Sequence, residues 1–522
     1  MKKISILDST LRDGAQAEGI SYSVSDKIKI AIALDELGID YIEAGNPGSN
    51  QKDLDFFKEA ASIEFKHSKL VAFGSTRRCN IKVYDDPNVK ALLDAKTKTI
   101  CVFGKSWDFH VENIINTTLE ENLNMIYDTI SYLTAKGIEV FYDAEHYFDG
   151  FKANKDYALK TLKTAEEAGA KCIILCDTNG GMFPDDLTTI VKETKKHINV
   201  ELGIHTHNDC GMAVSNSIIA VQNGCTHIQG TFLGYGERCG NANLSAIIAN
   251  LEIKRGYECL PSNCLSKLTL TAKMIAEISN FNLDNNLPFV GKSAFSHKAG
   301  MHIDGVYKNS KSFEHVDPEL VGNERRFLIS EVSGKSTVLA KIRKLYPDVD
   351  KNNPVLSDII NTIKNLEYEG YQFEGADASF ELIVHKAFNN FVPSFNVENF
   401  KIIGESPAKE SETASALIKV KVDGVIEITG ANGEGPVDAL NNALRKAIGH
   451  FYPILNEVSL AEYKVRILDG KESATKAMTR VIIESTDGKS SWSTVGVSRD
   501  IIAASFKALI DSIDYKLFKE RL

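Results

Sequence analysis

The feature that most constrains the fold is a regular alternation, over about residues 1–256, of short β-branched runs with longer amphipathic stretches. Eight runs have the length and composition of strands, and they lie at 4–7, 41–44, 70–73, 99–103, 139–142, 172–175, 201–204 and 226–229. A helical stretch follows each run, for example 24–37, where we expect Ser25 as the N-cap, and 154–168. Eight strand–helix units of this size predict a TIM barrel of the α/β class, with an open doubly wound sheet as the alternative.

Polar and charged side chains gather directly after the predicted strands. In a barrel they would converge on one rim, where barrel enzymes have their active sites, whereas an open sheet would spread them along its edge. In chain order these residues are Asp8, Arg12, Asp13, Glu43, Thr76, Arg77, Lys105, Asp143, Glu145, Asp177, Thr178, His205, His207, Glu237 and Asn241.

The charge balance narrows the range of partners. The 522 residues include 60 Lys and Arg against 70 Asp and Glu, a net charge of -10, which argues against general nucleic-acid or anionic-membrane binding. Nine cysteines without a C-x-x-C pair favour reduced, structural thiols over a disulfide framework. The charged start Met1-Lys2-Lys3 and the polar character of the longest uncharged run, 210–236, predict a cytoplasmic protein without a transmembrane helix.

The rest of the chain predicts two further regions. Residues 257–375 are mixed and suggest a linker with small helical subdomains, and residues 376–522 suggest an α+β domain with an internal duplication. In that domain the strands 416–422 and 425–429 precede a helix at 437–448, and 479–485 and 491–497 precede a helix at 501–513. Asp-Gly joins the strands in both copies, which is a strong hairpin signal. A seam between duplicated modules can hold a small effector, although packing alone would also explain the duplication.

The pair His205-x-His207 suggests a metal site. Residues two apart on a strand share a face, so both imidazoles could bind one cation. Alone, such a pair is structural about as often as functional, but Asp13 and Asn241 also follow predicted barrel strands. Two histidines, a carboxylate and an amide oxygen would form an N/O site for a divalent ion with positions open to substrate.

Arg12 precedes Asp13 and could polarise an oxygen bound to the same ion, although a surface Arg–Asp pair is the ordinary explanation of this dipeptide. The glycine-rich stretch 430–435 follows a hairpin and does not open a βαβ unit, so it does not predict a dinucleotide site.

Five motifs carry a family resemblance. They are LDSTLRDGAQ at 7–16, HTHNDCG at 205–211, GERCGN at 236–241, SHKAGMHIDG at 296–305 and GEGPVDA at 433–439. With them the chain resembles, over nearly its whole length, the Claisen-condensing acyltransferases that include the isopropylmalate, homocitrate and citramalate synthases. The C-terminal duplication resembles the regulatory dimer domain of that family, which implies a homodimer.

Three further strings are most similar to the citramalate synthase branch, and they are AEGIS at 17–21, GNPGSN at 45–50 and DAEHYFDG at 143–150. That branch implies acetyl-CoA, pyruvate and water as substrates, citramalate and CoA as products, a role in isoleucine biosynthesis and isoleucine as a feedback effector. The isopropylmalate branch, with 2-oxoisovalerate as acceptor in leucine biosynthesis, is the alternative.

The resemblance also implies a role for each site residue. The divalent metal, Mg or Mn with Zn as the alternative, would be bound by Asp13, His205, His207 and Asn241. Arg12 would stabilise the developing alkoxide, and Arg12, Gln16 and Thr178 would bind the 2-oxo acid. Glu145 would orient the site and assist enolisation. His302, reaching in from the partner subunit, would deprotonate the acetyl group, with His297 as its rival. Gly433 and Gly435 would belong to the effector region.

Two positions depart from the family pattern, because Phe313 and Asp143 stand where a tyrosine is expected in the family or in some citramalate synthases. Two other functions remain open. One is a metal-dependent lyase or biotin-linked carboxyltransferase on a related barrel, for which Cys239 is the supporting feature, and the other is a non-catalytic effector-binding protein.

Overall fold

Eight parallel strands close into a barrel in the N-terminal half of the chain. Parallel pairing in the register Ser5↔His227 to Asp8↔Gly230 joins the last strand to the first and completes the ring. The prediction of a TIM barrel is confirmed, and the doubly wound alternative is wrong. The strands are Ser5–Asp8 (β1), Tyr41–Gly45 (β2), Lys69–Ser75 (β3), Thr99–Lys105 (β4), Glu139–Glu145 (β5), Cys172–Asp177 (β6), Glu201–Thr206 (β7) and His227–Gly230 (β8).

The structure is a computed structural model that describes residues 2–328, 335–404, 413–468 and 477–521. Among the helices of these ranges, none is long and apolar enough to cross a membrane. The helices of the barrel region are Val24–Leu37 (α1), Gln51–Ala60 (α2), Pro87–Asp94 (α3), Asp108–Asn113 (α4), Leu119–Ala135 (α5), Tyr147–Ala153 (α6), Lys155–Glu167 (α7), Pro184–Thr194 (α8), Ala213–Gln222 (α9), Leu244–Ala249 (α10) and Leu268–Ile278 (α11).

The N-cap of α1 is Ser23, and the expectation of Ser25 is wrong. The Ser23 side chain accepts a hydrogen bond from the Asp26 amide, and the Asp26 carboxylate accepts one from the Ser23 amide. This reciprocal pair needs an acidic residue three positions after the cap, which Ser23 has and Ser25 lacks.

The barrel strands are apolar on both faces because helices cover the outside and side chains fill the inside. The inner filling includes Leu7, Phe141, Ile174 and three of the nine cysteines. All nine cysteines are free thiols, and six of them are buried.

Contacts divide the chain into two compact units. The first consists of Met1–Phe295 and His315–Arg325, and the second of Ser296–Glu314 and Arg326–Leu522. Residues 257–375 therefore contribute to both units. The division into domains at 256 and 375 stays a proposal.

The second unit contains two similar three-stranded sheets, each followed by a helix. The turns Asp423-Gly424 and Asp487-Gly488 lie where the sequence predicts hairpins, and Asp423 and Gly424 both have positive φ, as a type I′ turn requires. Each module begins with one more strand than predicted. The modules are Asn396–Gly404 (β11), Ala414–Val422 (β12), Val425–Gly433 (β13) and Pro436–Ile448 (α16), then Ser459–Ile467 (β14), Thr479–Thr486 (β15), Ser491–Ser498 (β16) and Ile501–Lys519 (α17).

A small helical group shares a core with the second module. Phe373, Phe380 and Val384 pack with Val495 and Val497 of β16. The region expected to form the α+β domain from residue 376 thus begins with a helix, and its first strand starts at Asn396. The remaining elements of this unit are Ser296–His297 (β9), Gly300–Lys308 (α12), Arg326–Phe327 (β10), Lys335–Leu345 (α13), Pro354–Tyr368 (α14) and Asp377–Ala387 (α15).

Candidate active site

The carboxyl ends of the barrel strands surround a cavity of about 220 Å³. Its walls contain most of the residues that the sequence assigns to the site. Phe73 and Phe103, which are not among the site residues that the sequence predicts, form an apolar part of the wall. The predicted residues on the cavity are Arg12, Asp13, Gln16, Glu145, Thr178, His205 and His207.

Asp13, His205 and His207 form a buried cluster of potential metal ligands. The Nε2 atoms of the two histidines are 3.4 Å apart, and Asp13 Oδ2 lies 3.5 Å from His205 Nε2 and 4.0 Å from His207 Nε2. Three ligand atoms therefore face one point inside the barrel rim. Nitrogen and carboxylate oxygen are donors that suit a divalent cation.

Asn241 lies directly beside this cluster. Its Nδ2 lies 3.3 Å from His205 Nε2, and its Oδ1 is buried without a hydrogen-bond partner among the described residues. Turning the amide by 180° would direct Oδ1 toward the same point as the other three ligand atoms. An unpartnered buried oxygen beside two imidazoles and a carboxylate fits a site built for a cation.

The protonation states suit metal binding. Burial lowers the pKa of His205 to about 4, so that imidazole is neutral at pH 7 and has a lone pair to donate. Burial alone would raise the pKa of Asp13, but the charge of Arg12 holds it below its ordinary value. Asp13 is therefore a carboxylate in the neutral range.

A glycine-bounded loop brings Asn241 to the cluster. His207 and Asn241 form an isolated bridge, and the Asn208 amide donates to the carbonyl of Gly240. Gly236 has a φ of +157°, and a Cβ there would lie 2.0 Å from Asn241 Oδ1. Only glycine fits so close to the amide.

Arg12 is fixed on three sides. Its Nε donates to Glu43 Oε2 at 2.7 Å, its Nη1 donates to Asp13 Oδ2 at 3.1 Å, and its guanidinium carbon lies 3.8 Å above the ring of Phe73. Glu43 is fully buried and also accepts a hydrogen bond from Ser9 Oγ at 2.5 Å. The sequence places Glu43 on the barrel rim but gives it no role, and the contact with Arg12 is seen only in the structure.

Glu145 and Thr178 have defined partners on the same rim. Glu145 forms an ion pair with Lys105, and Thr178 Oγ1 accepts a hydrogen bond of 3.0 Å from the His146 amide. Arg238 donates to the carbonyl of Thr178 at 2.8 Å and forms two hydrogen bonds with Asp209.

Gln229 and Asp143 link the cluster to the barrel interior. Gln229 is fully buried and lies 3.0 Å from His205 Nδ1 and 2.8 Å from Asp143 Oδ1. Burial and the neighbouring Glu43 raise the pKa of Asp143 to about 7. Gln229 is not among the site residues that the sequence predicts, although a buried glutamine at the end of the predicted strand 226–229 could have indicated it.

His302 and His297 both lie in the second unit. His302 is exposed on α12, and its ring stacks on Phe313 with the ring centres 4.2 Å apart. His297 is buried, and its Nε2 lies 3.0 Å from Glu314 Oε1. His297 is thus engaged in an internal contact, whereas His302 faces solvent.

Gly433 and Gly435 flank the start of α16. A Cβ on Gly433 would lie 2.3 Å from the Ala439 amide nitrogen, while a Cβ on Gly435 would meet nothing within 4 Å. The Glu434 amide between them donates to Asp438 Oδ2 at 3.0 Å.

Three family models together match most of the chain. The model of the HMGL-like family matches residues 3–281, that of the homocitrate synthase post-HMGL domain matches 289–370, and that of the LeuA allosteric (dimerisation) domain matches 374–517.

Individual relatives match over nearly the full length. The (R)-citramalate synthase of Geobacter sulfurreducens is 49% identical over 99% of this chain and 98% of its own. That of Aquifex aeolicus is 48% identical over 99% and 98%. The 2-isopropylmalate synthase of Methanocaldococcus jannaschii is 31% identical over 99% and 95%. The overall sequence identity to the two citramalate synthases is therefore higher than that to the 2-isopropylmalate synthase, over the same 99% of this chain.

Proposed function

The chain belongs to the (R)-citramalate synthases of the HMGL-like family, and from this premise we propose that it condenses acetyl-CoA with pyruvate and water to give citramalate and CoA. The observation that carries the proposal is the 49% identity over both whole chains. The second candidate, 2-isopropylmalate synthase, is favoured less because the relative with that name is 31% identical.

We further propose that the enzyme is a cytoplasmic homodimer of isoleucine biosynthesis and that isoleucine inhibits it. The match of residues 374–517 to the LeuA allosteric (dimerisation) domain supports a dimer with a regulatory site. Nine free thiols suit a reducing compartment.

The proposed metal ligands are Asp13, His205, His207 and Asn241, and the ion is Mg²⁺ or Mn²⁺, with Zn²⁺ as the alternative. When bound, such an ion supplies a Lewis acid that polarises the ketone and carboxylate oxygens of a 2-oxo acid. Neutral imidazoles and an ionised Asp13 are the protonation states that ligation requires.

Arg12 stabilises the charge that develops on the ketone oxygen. The contacts of Nε with Glu43 and of Nη1 with Asp13 hold the guanidinium in place before the reaction begins. A donor fixed in advance costs no reorganisation when charge develops, and losing one such donor typically slows a reaction by about 10²–10³-fold.

Thr178 and Gln16 bind the carboxylate of the 2-oxo acid. The Thr178 hydroxyl already accepts from the His146 amide, so its own hydrogen is free to be donated to a substrate oxygen. Glu145, held by Lys105, orients the acetyl group for enolisation.

His302 removes a proton from the methyl group of acetyl-CoA. Its exposure on α12 suits a base that one protomer contributes to the site of its partner, and the ring of Phe313 restricts its orientation. The enolate carbon then attacks the ketone carbon while Arg12 stabilises the developing alkoxide, which takes up a proton to become the hydroxyl of the citramalyl thioester. Water hydrolyses that thioester and releases citramalate and CoA. His297 is the weaker candidate because Glu314 engages its Nε2.

The test is release of free thiol from acetyl-CoA in the presence of pyruvate, 2-oxoisovalerate or 2-oxoglutarate, with and without isoleucine or leucine. We expect the highest kcat/KM with pyruvate and inhibition by isoleucine. A preference for 2-oxoisovalerate would replace the proposal by the isopropylmalate alternative, and no thiol release with any acceptor would overturn the synthase function.

A second test separates the two histidines. We expect His302→Ala to lower kcat by at least about 10²-fold with unchanged Mn²⁺ affinity, because the base does not touch the metal cluster. His297→Ala is the matched control and should retain most of kcat. The opposite result would assign the base to His297.

A further inference from the structure

Gln229 lies beside His205 on neighbouring strands inside the barrel. β7 and β8 pair with His205 opposite Gln229, so the two side chains point into the barrel side by side. Gln229 is fully buried, and His205 is 5% exposed. Neither the cavity wall nor the proposed ligand set includes Gln229.

The hydrogen bonds of Gln229 determine which way its amide points. Its Nε2 donates to Asp143 Oδ1 at 2.8 Å and lies 3.7 Å from Cys101 Sγ. The amide nitrogen therefore faces Asp143, and the amide oxygen Oε1 faces His205 Nδ1 at 3.0 Å. An amide oxygen can only accept, so His205 Nδ1 carries the hydrogen.

The protonated Nδ1 leaves the lone pair of His205 on Nε2. That nitrogen faces Asp13 Oδ2 at 3.5 Å, His207 Nε2 at 3.4 Å and Asn241 Nδ2 at 3.3 Å. In the other tautomer Nε2 would carry a hydrogen and could not bind a cation.

We propose that Gln229, held by Asp143, is a positioning residue that fixes the tautomer and ring orientation of His205 for divalent-cation binding. The inference rests on the metal site of the proposed function. Partners of ligand histidines typically contribute 10–100-fold, by order of magnitude, to metal affinity.

The hydrogen bonds that run from His205 through Gln229 to Asp143 also give Asp143 a role in the barrel. Without an acceptor at this position, the Gln229 amide could turn by 180° and present its NH₂ group to His205 Nδ1. The hydrogen of His205 would then move to Nε2, and the ligand position would be blocked. Asp143 is thus expected to act through Gln229 and His205.

The experiment measures the dissociation constant of Mn²⁺ by calorimetry on the full-length protein without substrates. Gln229→Met keeps the side-chain length and removes both hydrogen bonds, and we expect its Mn²⁺ dissociation constant to rise about 10–100-fold. Asn216→Leu is the matched control. It removes another buried amide of the first unit, one that donates to the Met182 carbonyl, and should change the constant less than about 3-fold.

A second variant keeps the test decisive if Gln229→Met does not fold. The double variant Gln229→Glu with Asp143→Asn preserves the charge and size of the pair, keeps an acceptor toward His205 Nδ1 and reverses the donor toward residue 143. We expect its Mn²⁺ affinity to remain within about 10-fold of wild type.

The outcomes distinguish this inference from the proposed function. If wild-type protein binds no Mn²⁺, Mg²⁺ or Zn²⁺, the metal site itself fails. If wild type binds Mn²⁺ and Gln229→Met binds it equally well, or if the double variant loses more than about 10-fold in Mn²⁺ affinity, only the positioning role is overturned.

Discussion

The side chain of Asn241 occupies space that is open only because residue 236 is a glycine. A methyl group on Gly236 would lie 2.0 Å from Asn241 Oδ1, and the φ of +157° is one that side-chain-bearing residues rarely adopt. The loop 236–241 is therefore shaped around the amide of the proposed fourth metal ligand. In the same loop, Arg238 forms an ion pair with Asp209.

We predict that Gly236→Ala weakens Mn²⁺ binding by about 10-fold or more, because the added methyl displaces Asn241 from the cluster. Calorimetric titration with Mn²⁺ measures the change. Gly181→Ala is the matched control, since a Cβ at Gly181 meets nothing within 4 Å and its φ is not positive. Equal Mn²⁺ affinity of the two variants would show that Asn241 is not a ligand.

Phe313, which lacks the hydroxyl expected at its position, contacts the proposed base directly. Its ring stacks on His302 at an interplanar angle of 22°. The aromatic face restricts the rotation of the imidazole, which a tyrosine in this position would also do. The departure from the family pattern thus preserves the ring contact and removes only the hydroxyl.

At the scale of elements, α17 carries an unusual carboxyl group. Asp514 is 6% exposed, accepts a hydrogen bond of 3.0 Å from the Ser394 amide, and has a pKa that burial raises from 3.8 to about 6. A raised pKa means that the folded state binds the proton more tightly than the unfolded state. Protonated Asp514 therefore contributes to the free energy of unfolding below about pH 4, and this contribution is lost as the pH rises through about 6.

We therefore expect Asp514→Asn to stabilise the second unit at pH 7.5 and to have little effect at pH 3.5. The difference at pH 7.5 would be at most about 3 kcal/mol, since one pKa unit corresponds to about 1.4 kcal/mol. Urea unfolding followed by the fluorescence of Trp492, in a Trp107→Phe background, would report it, because Trp492 is buried against α17. A stabilisation that does not depend on pH would contradict the titration argument.

At the scale of the whole molecule, the proposed catalytic residues are divided between the two units. Arg12 and the metal cluster lie in the first unit, and His302 lies in the second. If the base serves the site of the partner, a dimer contains two active sites, each composed of residues from both protomers.

We predict that a purified heterodimer of an Arg12→Ala chain and a His302→Ala chain has about half of the wild-type activity, since one of its two sites is complete. Thiol release from differently tagged, co-expressed chains measures it. The control is a heterodimer of wild type with the double variant, in which neither site is complete. Activity in the control and none in the first heterodimer would place His302 in the site of its own protomer.

The proposed inhibition by isoleucine also belongs to the scale of the whole molecule. We expect Gly433→Ala to reduce inhibition by isoleucine by about 5-fold or more, because the methyl group would lie 2.3 Å from the Ala439 amide and must displace the start of α16. Gly435→Ala, with open space around its Cβ, should retain the response. The measurement is the isoleucine concentration for half inhibition of thiol release. An unchanged value in Gly433→Ala would remove this loop from the effector region.

Local patterns in the chain determined the eight barrel strands, the two Asp-Gly hairpins and the group Asp13, His205, His207 and Asn241. The alternation of strands and helices is a local pattern that can be predicted from neighbouring residues. Because all parallel strands of a barrel end on the same rim, residues that follow these strands in the sequence are expected to lie close together. The amphipathic pattern also predicted α1 but placed its N-cap two residues too late. The cap is Ser23 because only Ser23 has an acidic residue, Asp26, three positions later with which to form reciprocal hydrogen bonds.

Only the tertiary structure revealed Glu43 behind Arg12, Gln229 behind His205 and Phe313 against His302. Glu43 and Gln229 are distant in the sequence from the residues they contact, and glutamate, glutamine and phenylalanine occur in many different roles. Their contacts depend on burial and on the register of the strands. Hydrogen bonds inside a barrel become strong and directional because water is excluded. The sequence therefore specifies which groups reach the rim, and the packing beneath the rim decides how each is oriented and in which protonation state it is held.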